Sequence, residues 1–495
     1  MYANSVARDV RPLFLDGSRA AEAELRRTVG LLIDTLESAQ RPDPFPKLSS
    51  DALAAVVGAI DPVPEDGIQL AALLAEVGES VLANGVQTSN PRTAAHLHAP
   101  PLISAAAAEL VIGATNQSMD SFDQAPAATH IEDRLVRRLA ELLGFPSGAS
   151  GVLTAGGTSS NLLGMLLARE RSTRRSDITT GMHGWYDVAT PGRADQRTTT
   201  GRIVASEAAH VSVRQAAFVL GMGRDAVVPV ATDKNGRMDV DALDGTLREL
   251  GENVIAIVGT AGTTDAGAID PLADLADRAG DVGCWFHVDA AVGAGLALSD
   301  RLRPLLRGID RADSITADLH KLWWQPISAS VLLVRDGALF DGLREPADYL
   351  NRREDDVLNL VDRSLDTSRR FDALKVLISL RSVGRRRLGE LIEHIVELAT
   401  HAADVIHQSA DLELLCDPQT VTVLFRCRPR HVPDDRLDVL NIAVQQDLLA
   451  TGQAVVGRTK LEGHAALKLT LVNPLMTTDD VTELIELIAS RGRDA

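Results

Sequence analysis

Between about residues 100 and 370, short apolar runs alternate along the chain with longer stretches of helical periodicity. Three runs are each followed by such a stretch: GVLTAGG by NLLGMLLARER, RIVAS by VSVRQAAFVLG, and NVIAIVGTAGTTDAG by PLADLADRAG. Three further runs are CWFHVDAAVGAG, DSITADLHK and SASVLLVRDG. Strands that alternate with helices are typical of crossover units, so the pattern predicts a mostly parallel sheet with helices on both faces. The fold class is therefore α/β, and in such sheets ligands bind at the carboxyl ends of the strands.

The two ends of the chain follow other patterns. An amphipathic helix is predicted over residues 18–39, and the first ninety or so residues are mostly helical. From about residue 365 a helical stretch leads into a smaller unit, in which helices alternate with strands such as TVTVLFRC and LKLTLVN. We therefore predict a helical N-terminal segment, residues 1–95, a large domain, residues 96–370, and a small C-terminal domain, residues 371–495.

Two local features refine this prediction. The segment 171–200 is polar and lacks periodicity, which indicates a long surface loop. Near the C-terminus, Thr477 and Asp480 have the spacing of a capping box at the start of a last helix.

Composition and charge narrow the class of protein. Of the 495 residues, 45% are hydrophobic and 24% are charged, which is ordinary for a globular chain. The 50 Lys and Arg against 68 Asp and Glu give a net charge of −18. That balance argues against a nucleic-acid backbone or an anionic membrane as a partner, and it slightly favours a cationic small molecule.

Cysteine content and the apolar runs indicate where the protein works. The three cysteines, Cys284, Cys416 and Cys427, are too few and too far apart for a disulfide framework or a metal site. The N-terminus has charges where a signal peptide needs an apolar core, and the apolar run ALAAVVGAI is too short to span a membrane. We expect a soluble, cytoplasmic protein without a metal.

The turn TAGGTSSN, residues 154–161, is the first of four strand ends that carry unusual residues. Gly156 and Gly157 let the backbone approach a ligand, while Thr158, Ser159 and the first helical amides can hold a phosphate. The same pattern also occurs in simple turns. No Gly-Lys-Ser/Thr follows, so it is not a P-loop.

The other three strand ends each carry one residue of interest. Asp289 lies in the apolar run FHVDAAVGAG and needs a donating or cationic partner, whether it caps a turn or faces a cationic ring nitrogen. His210 leads into a predicted helix, where a histidine is often structural. Lys321 lies between a predicted strand and two tryptophans. Its aliphatic stem could pack on the core with the ammonium in solvent, or its amine could be reactive.

Together these residues match what pyridoxal phosphate requires. Its aldehyde needs a lysine for a Schiff base, its pyridinium needs an acid, and its phosphate needs backbone donors. We therefore predict pyridoxal 5′-phosphate as the cofactor, with Lys321 as the attachment point.

The chain resembles the group II pyridoxal-phosphate-dependent amino-acid decarboxylases. The resemblance extends from NPRTAAHLHAPP, residues 90–101, to KLTLVNPLMTTDD, residues 468–480, and HVDAA and DSITADLHK carry most of it. Within that family the chain is most similar to bacterial decarboxylases of 2,4-diaminobutyrate and to siderophore-pathway lysine decarboxylases, through NQSMDSFDQAPAATHIE, AGTTDAGAIDPL and FDALKVLISLRSVG. The resemblance implies the aspartate-aminotransferase-like fold (fold type I), with a mostly parallel seven-stranded sheet.

The resemblance also implies roles for individual residues. Lys321 would bind the cofactor aldehyde, Asp289 would pair with the pyridinium, and His210 would stack on the ring. Tyr349, on a loop beyond the lysine, would return a proton to Cα after carbon dioxide leaves. The remaining implied contacts are with the phosphate (Gly157, Thr158, Ser159), the ring (Thr264, Ala291), the lysine (His320) and, as pocket residues, the substrate (His96, His98).

Two positions depart from the family pattern. Val292 stands where many relatives have an aromatic residue, often Tyr, and Leu319 stands where they have Pro. Neither change removes a catalytic group, but Val292 belongs to the implied substrate pocket and affects which amino acid that pocket accepts.

The predicted activity is decarboxylation of an L-amino acid to its amine and carbon dioxide. The favoured substrate is a basic diamino acid: 2,4-diaminobutyrate, lysine or ornithine. The alternatives are an aromatic or acidic amino acid, another lyase or aminotransferase on the same fold, and a non-catalytic relative. The resemblance further implies a homodimer whose active site lies at the interface, with the N-terminal segment packed on the partner.

Overall fold

The computed structural model describes residues 13–175, 201–345, 347–348, 350–352 and 356–494. The α-helices within these ranges are α1 (Arg19–Ser38), α2 (Ser50–Gly58), α3 (Leu70–Ser80), α4 (Ile103–Thr115), α5 (Pro126–Leu142), α6 (Gly157–Arg175), α7 (Ser212–Val219), α8 (Val240–Leu250), α9 (Leu272–Val282), α10 (Ala373–Val383), α11 (Arg385–Gln408), α12 (Leu437–Ala450) and α13 (Thr478–Asp494).

The strands form two sheets. They are β1 (Thr93–Ala94), β2 (Ser150–Thr154), β3 (Arg202–Ser206), β4 (Val227–Val230), β5 (Val254–Thr260), β6 (Trp285–Asp289), β7 (Ser314–Asp318), β8 (Ser330–Val334), β9 (Leu412–Leu414), β10 (Thr422–Cys427), β11 (Val455–Leu461) and β12 (His464–Thr470). The larger sheet has seven strands in the order β2-β8-β7-β6-β5-β3-β4, and β8 alone runs antiparallel to its neighbours. The predicted mostly parallel seven-stranded sheet and the α/β class are confirmed.

Side chains on both faces of this sheet are buried, as expected for a parallel sheet covered by helices. One face contributes Val204, Phe286 and Ile315 to the largest apolar cluster, whereas the alternate positions Ile203 and Val258 belong to a cluster on the other face. Every residue of β5 is buried. This double burial explains why the strands read as continuous apolar runs in the sequence.

The smaller sheet has five strands in the order β1-β11-β12-β10-β9. Its only parallel pair among the described residues joins Thr93 and Ala94 to Val455 and Val456. Helices α11, α12 and α13 cover this sheet through an apolar cluster that includes Ile406, Val444 and Ile488. The short strand β1 therefore ties the N-terminal part of the chain to the C-terminal sheet.

Hydrogen-bonded side chains fix where several helices begin. The Ser18 hydroxyl accepts from Ala21 N at the start of α1. At the start of α13, Thr477 Oγ1 accepts from Asp480 N (3.2 Å), and Asp480 Oδ2 accepts from Thr477 N (2.8 Å). The predicted capping box is present, and the predicted first helix corresponds to α1 within one residue at each end.

The loop predicted over residues 171–200 begins too early in the sequence. Helix α6 continues to Arg175, and the rest of that segment lies outside the described residues. The helical part is retained because Arg171 pairs with Asp313 (2.6 Å) and its guanidinium lies over the Trp285 ring, 5.4 Å from the centroid. These partners are distant in sequence, so local polarity did not reveal them.

Within the described ranges, none of the helices combines the length and the apolar character that a membrane span requires. The domain limits at residues 95 and 370 stay predictions.

Candidate active site

The carboxyl ends of β2, β5, β6 and β7 lie at one edge of the large sheet, because these strands run in the same direction. The last residues of β6 and β7 are Asp289 and Asp318, and β2 leads directly into the turn before α6. The edge where parallel strands end is the usual ligand-binding edge of such sheets. Strand β3, which leads to His210, is also parallel to β5, so all four predicted strand ends meet at this edge through strand direction alone.

Lys321 lies in a tight turn after β7. Its Nζ is 2.9 Å from Asp318 Oδ2, and its side chain is 21% exposed whereas that of Asp318 is 4% exposed. His320 belongs to the same turn, where its Nδ1 is 2.7 Å from Ala329 O and its Nε2 is 3.8 Å from Asp318 Oδ2. The lysine is therefore paired with a buried carboxylate rather than extended into solvent.

The tryptophans that follow the lysine hold this turn in place. Trp323 and Trp324 are both buried, and Trp324 Nε1 donates to Val472 O (2.9 Å), which follows the last strand of the small sheet. The Trp324 carbonyl accepts from Leu102 N (2.9 Å). The aromatic pair thus anchors the turn on two sides and leaves Lys321 at the edge of the site.

A buried lysine fixes the segment that leaves this turn. Lys375, on α10, is fully buried, and its Nζ donates to Glu109 Oε1 (2.7 Å). The same ammonium donates to the carbonyls of Pro326 (3.2 Å) and Ser328 (3.0 Å). Because a buried ammonium needs partners on several sides, these bonds hold the connection between β7 and β8 against α4 and α10.

Asp289 is 4% exposed and has partners on both oxygens. Its Oδ2 accepts from Asn161 Nδ2 (2.8 Å), and its Oδ1 accepts from Ala291 N (3.1 Å). Two residues earlier on β6, His287 contacts the other end of Asn161, with Nε2 2.9 Å from Asn161 Oδ1, and its Nδ1 is 2.7 Å from Ser314 Oγ. Burial lowers the pKa of His287 to about 4, although the Asp289 charge acts in the opposite direction. A neutral His287 leaves the charge of Asp289 available to a cation.

The network extends from Asp289 to His210. Asn161 Nδ2 also donates to Ser212 Oγ (2.8 Å), and that hydroxyl is 2.9 Å from His210 Nδ1. His210 itself is exposed. Its imidazole is therefore oriented by a hydrogen bond at the base while its ring remains accessible.

The predicted phosphate turn forms the start of α6. A Cβ added at Gly156 would meet nothing within 4 Å, whereas one added at Gly157 would lie 3.0 Å from both carboxylate oxygens of Asp318. Thr158 and Ser159 occupy the first turn of the helix, where Ser159 N donates to Gly156 O (2.9 Å) and the amides of Gly157 and Thr158 precede that first bond. The turn combines open space above Gly156 with helix N-terminal donors, which suits an anion.

The other predicted residues have these positions. Thr264 is exposed, and its carbonyl accepts from Lys468 Nζ (3.0 Å). Ala291 lies two residues after Asp289, and its backbone N donates to Asp289 Oδ1 (3.1 Å). Val292 is 5% exposed and lies against Gly262, where an added Cβ would come within 2.9 Å of Val292 Cβ. Tyr349 lies outside the described residues.

The two histidines of the implied pocket lie on the segment that reaches the lysine turn through Leu102. His96 has a left-handed backbone, with φ of 62°. Partial burial, together with the nearby His96, lowers the pKa of His98. The pocket role of His96 and His98 stays a prediction.

Sequence reasoning missed four polar residues of the site: Asn161, Ser212, His287 and Asp318. Asn161 ends the turn TAGGTSSN, and His287 lies two residues before Asp289 and hence on the same face of β6. That period-two spacing of polar residues in an apolar strand was the available signal. Ser212 and Asp318 carried no comparable signal.

The residues present fit pyridoxal phosphate. A primary amine at the site edge, a buried carboxylate without a cationic partner among the described residues, and a helix N-terminus with space for an anion match its aldehyde, ring nitrogen and phosphate. The donor set at this edge is thus chemically complete for that cofactor.

Comparisons with known proteins agree with this geometry. A family model described as the pyridoxal-dependent decarboxylase conserved domain matches residues 61–428. The chain is 40% identical to an L-2,4-diaminobutyrate decarboxylase of Acinetobacter baumannii, over 87% of this chain and 86% of that protein. It is 41% identical to an L-2,4-diaminobutyrate decarboxylase of Rhizobium meliloti, over 90% and 87%.

A solved structure has the same fold over the full length. It is the glutamate decarboxylase domain of diaminobutyrate-pyruvate transaminase and L-2,4-diaminobutyrate decarboxylase from Vibrio parahaemolyticus. The TM-score is 0.88 at 35% identity, with 99% of this chain and 100% of that chain covered.

Proposed function

The chain belongs to the pyridoxal-dependent decarboxylase family, and from that membership we propose that it removes the α-carboxyl group of a basic diamino acid, with 2,4-diaminobutyrate as the first candidate. The enzyme is a pyridoxal-phosphate-dependent amino-acid decarboxylase. The observation that carries the choice of substrate is the identity of 40% and 41%, over nearly the whole chain, to two enzymes that are named for 2,4-diaminobutyrate. Lysine and ornithine are the other diamino candidates.

The cofactor would be held by residues of the sheet edge. Lys321 would bind it through its amine, Asp289 would hold a proton on the ring nitrogen, and His210 would lie over the ring. The chemistry that pyridoxal phosphate supplies when bound is an electron sink for the pair left at Cα as carbon dioxide departs. The phosphate would be held by the α6 N-terminus at Gly157, Thr158 and Ser159, with Thr264, Ala291 and His320 as further neighbours.

The network behind Asp289 supports this assignment of roles. Because Asn161 bridges the carboxylate and a neutral His287, Asp289 is fixed in place by a neutral partner. A fixed, charged carboxylate favours a protonated ring nitrogen. The proton that replaces carbon dioxide at Cα would come from Tyr349.

We place the active site at the interface of a homodimer. The N-terminal helices leave large apolar side chains exposed, among them Ile33 (51%), Leu36 (58%) and Val57 (52%). Large exposed apolar side chains in one segment are typical of a surface that another protein covers. The partner chain would bury this N-terminal face, and the substrate pocket would include His96, His98 and Val292.

We assign the enzyme to the cytoplasm. All three cysteines are free thiols, and burial raises the pKa of Cys284 and Cys427 to about 12. Free thiols are typical of proteins in a reducing compartment.

A product screen tests the proposed reaction. Purified enzyme with pyridoxal phosphate would be incubated with diamino, aromatic and acidic amino acids, and the products would be identified by mass. We expect 1,3-diaminopropane from 2,4-diaminobutyrate to form faster than the diamines from ornithine and lysine. The Lys321→Ala variant should lose the visible absorbance of bound cofactor and essentially all turnover.

Two results would contradict the proposal. An aromatic or acidic amine as the main product would overturn the substrate class. Keto acids formed without release of carbon dioxide would show that the enzyme transfers the amino group and does not decarboxylate its substrate.

A further inference from the structure

The connection from β5 to α9, residues 261–271, begins beside Asp289 and carries Thr264. Thr260, the last residue of β5, is paired in register with Asp289 on β6. The next residue, Ala261, donates its backbone N–H to the Asp289 carbonyl (2.9 Å). This connection, the β5–α9 loop, therefore starts at the edge of the sheet where the cofactor was placed.

The loop folds back on itself below an exposed tip. Gly262 N and Thr263 N both donate to Ala268 O, at 2.9 and 2.8 Å. Thr264 and Asp265 form the tip, and both are exposed. Because the tip projects beyond these bonds, contacts from outside the loop affect where Thr264 lies.

Lys468, on β12 of the small sheet, reaches this tip. Its Nζ donates to Thr264 O and to Asp265 Oδ1, both at 3.0 Å. The Lys468 side chain is 11% exposed, whereas that of Asp265 is 58% exposed. Ordering and burying a long lysine stem costs free energy, which the two acceptors offset. The bonds join the tip to a different sheet, about two hundred residues away in sequence.

Two residues just before β10 hold the base of the same loop. Thr420 Oγ1 donates to Gly267 O (2.9 Å), and Gln419 Oε1 accepts from Ile269 N (3.1 Å). Gly267 has φ of 65°, and an added Cβ would lie 2.4 Å from Thr420 Oγ1, so this close approach requires glycine. The small sheet thus fixes the base of the loop through Thr420 and Gln419 and its tip through Lys468.

We propose that Lys468 is a cofactor-positioning residue, which holds Thr264 beside the ring by bonding the loop tip to the small sheet. The inference rests on the proposed placement of pyridoxal phosphate, with Thr264 as a neighbour of the ring. Lys468 acts through the Thr264 backbone. The small sheet, which lies outside the sheet edge that carries Lys321, thereby takes part in holding the cofactor.

Lys468→Met is the informative variant. It keeps an unbranched side chain of similar length and removes both donated bonds. The fold should tolerate it, because a thioether suits a buried stem and because the exposed Thr264 and Asp265 can bond to water instead. The urea midpoint of the full-length, cofactor-free chain should therefore stay close to that of the wild type.

Cofactor binding should change where stability does not. Equilibrium dialysis with pyridoxal phosphate should give a Kd about tenfold higher in Lys468→Met, the scale of one lost hydrogen bond from a charged donor. At saturation, the visible circular dichroism per unit absorbance should fall, because a ring held less firmly in asymmetric surroundings gives a weaker signal. Lys468→Arg, which can donate to both acceptors, should restore both values.

Lys460→Met is the matched control, since Lys460 is an exposed lysine on the neighbouring strand β11. It should keep the wild-type Kd and dichroism. Thr420→Val removes a hydroxyl from the base of the loop and keeps the side-chain shape. It should raise the Kd in the same direction, and it repeats the test should Lys468→Met not fold.

The outcomes separate this inference from the proposed function. A wild-type Kd and dichroism in Lys468→Met would overturn the role of Lys468, and so would a loss that Lys468→Arg does not recover. A wild type that binds no pyridoxal phosphate would instead refute the cofactor site, and the inference with it. None of these readouts depends on decarboxylation, which the product screen measures separately.

Discussion

Asn161 joins the side chains around the site because its amide donates and accepts at the same time. It donates to Asp289 and Ser212 and lies within hydrogen-bond distance of His287 through its oxygen. A carboxamide is the natural connector here, since a carboxylate would repel Asp289 and an apolar residue would leave Asp289 Oδ2 and His287 Nε2 without this partner. The orientation of Asp289 and His210 thus depends on one residue near the start of α6.

The buried His287 predicts how acid destabilises the protein. Its pKa is about 4 when folded and about 6.5 when unfolded, so the unfolded chain binds a proton first as the pH falls. Stability attributable to neutral His287 is therefore present above about pH 6.5 and is lost towards pH 4, on the order of 2–3 kcal/mol. Urea unfolding from pH 7 to pH 4.5 should show a smaller loss in His287→Gln than in the wild type.

Other carboxylates titrate in the same range, so the comparison between variants carries the test. His431→Gln changes an exposed histidine and should follow the wild-type curve. If His287→Gln lost as much stability on acidification as the wild type, the neutral state of His287 would be wrong.

At this scale the sequence predicted the residues with unusual chemistry and missed their supports. Lys321 and Asp289 stood out because charged residues lay in apolar surroundings. Lys375 did not, because a lysine on a helix resembles a surface charge until Glu109 and two carbonyls from distant segments surround it. The supporting contacts are set by tertiary packing, which no local pattern encodes.

At the scale of elements, strand direction was the part the pattern could not supply. Strand β8 is antiparallel because the connection from Asp318 to Ser330 is too short to cross over as a helix-containing unit, which takes a dozen or more residues. The apolar run SASVLLVRDG predicts a strand but does not indicate whether that strand is parallel or antiparallel to its neighbours. Because β8 is antiparallel to both β7 and β2, β2 has the same direction as β7. The start of α6 therefore lies at the same edge of the sheet as the ends of the other parallel strands.

The capping box of α13 predicts a measurable loss of stability. Thr477→Ala removes the hydroxyl that accepts from Asp480 N and should destabilise the protein by about 1 kcal/mol. The measurement is the urea midpoint of the unfolding transition. Thr400→Ala, at a mid-helix position on α11, is the control and should change the midpoint little. A loss in Thr477→Ala no larger than in the control would mean that the cap contributes nothing.

At the scale of the whole molecule, two sheets and an N-terminal helical segment share one chain. The segment connects to the small sheet through β1, yet much of its apolar surface stays exposed in the single chain. The sequence predicted an amphipathic helix over residues 18–39 but not which surface covers it, because a partner's surface is not encoded in the spacing of apolar residues.

The dimer proposal predicts the effect of charges on that segment. The double variant Ile33→Glu, Leu36→Glu should shift the protein from dimer to monomer in light scattering, because burying two carboxylates at an interface is costly. Decarboxylation should fall at least about tenfold with it, if the partner completes the site. Val439→Glu, an equally exposed apolar position on α12, should remain dimeric. A wild-type monomer that turns over substrate would refute the shared site.

The bond from Trp324 to Val472 gives the protein an internal optical reporter. Trp324 and its neighbour Trp323 are within three residues of Lys321. Their emission will respond to a chromophore placed at that lysine and to any shift of the turn against the small sheet. Occupancy and movement at this edge are thereby readable from native fluorescence, without an attached dye.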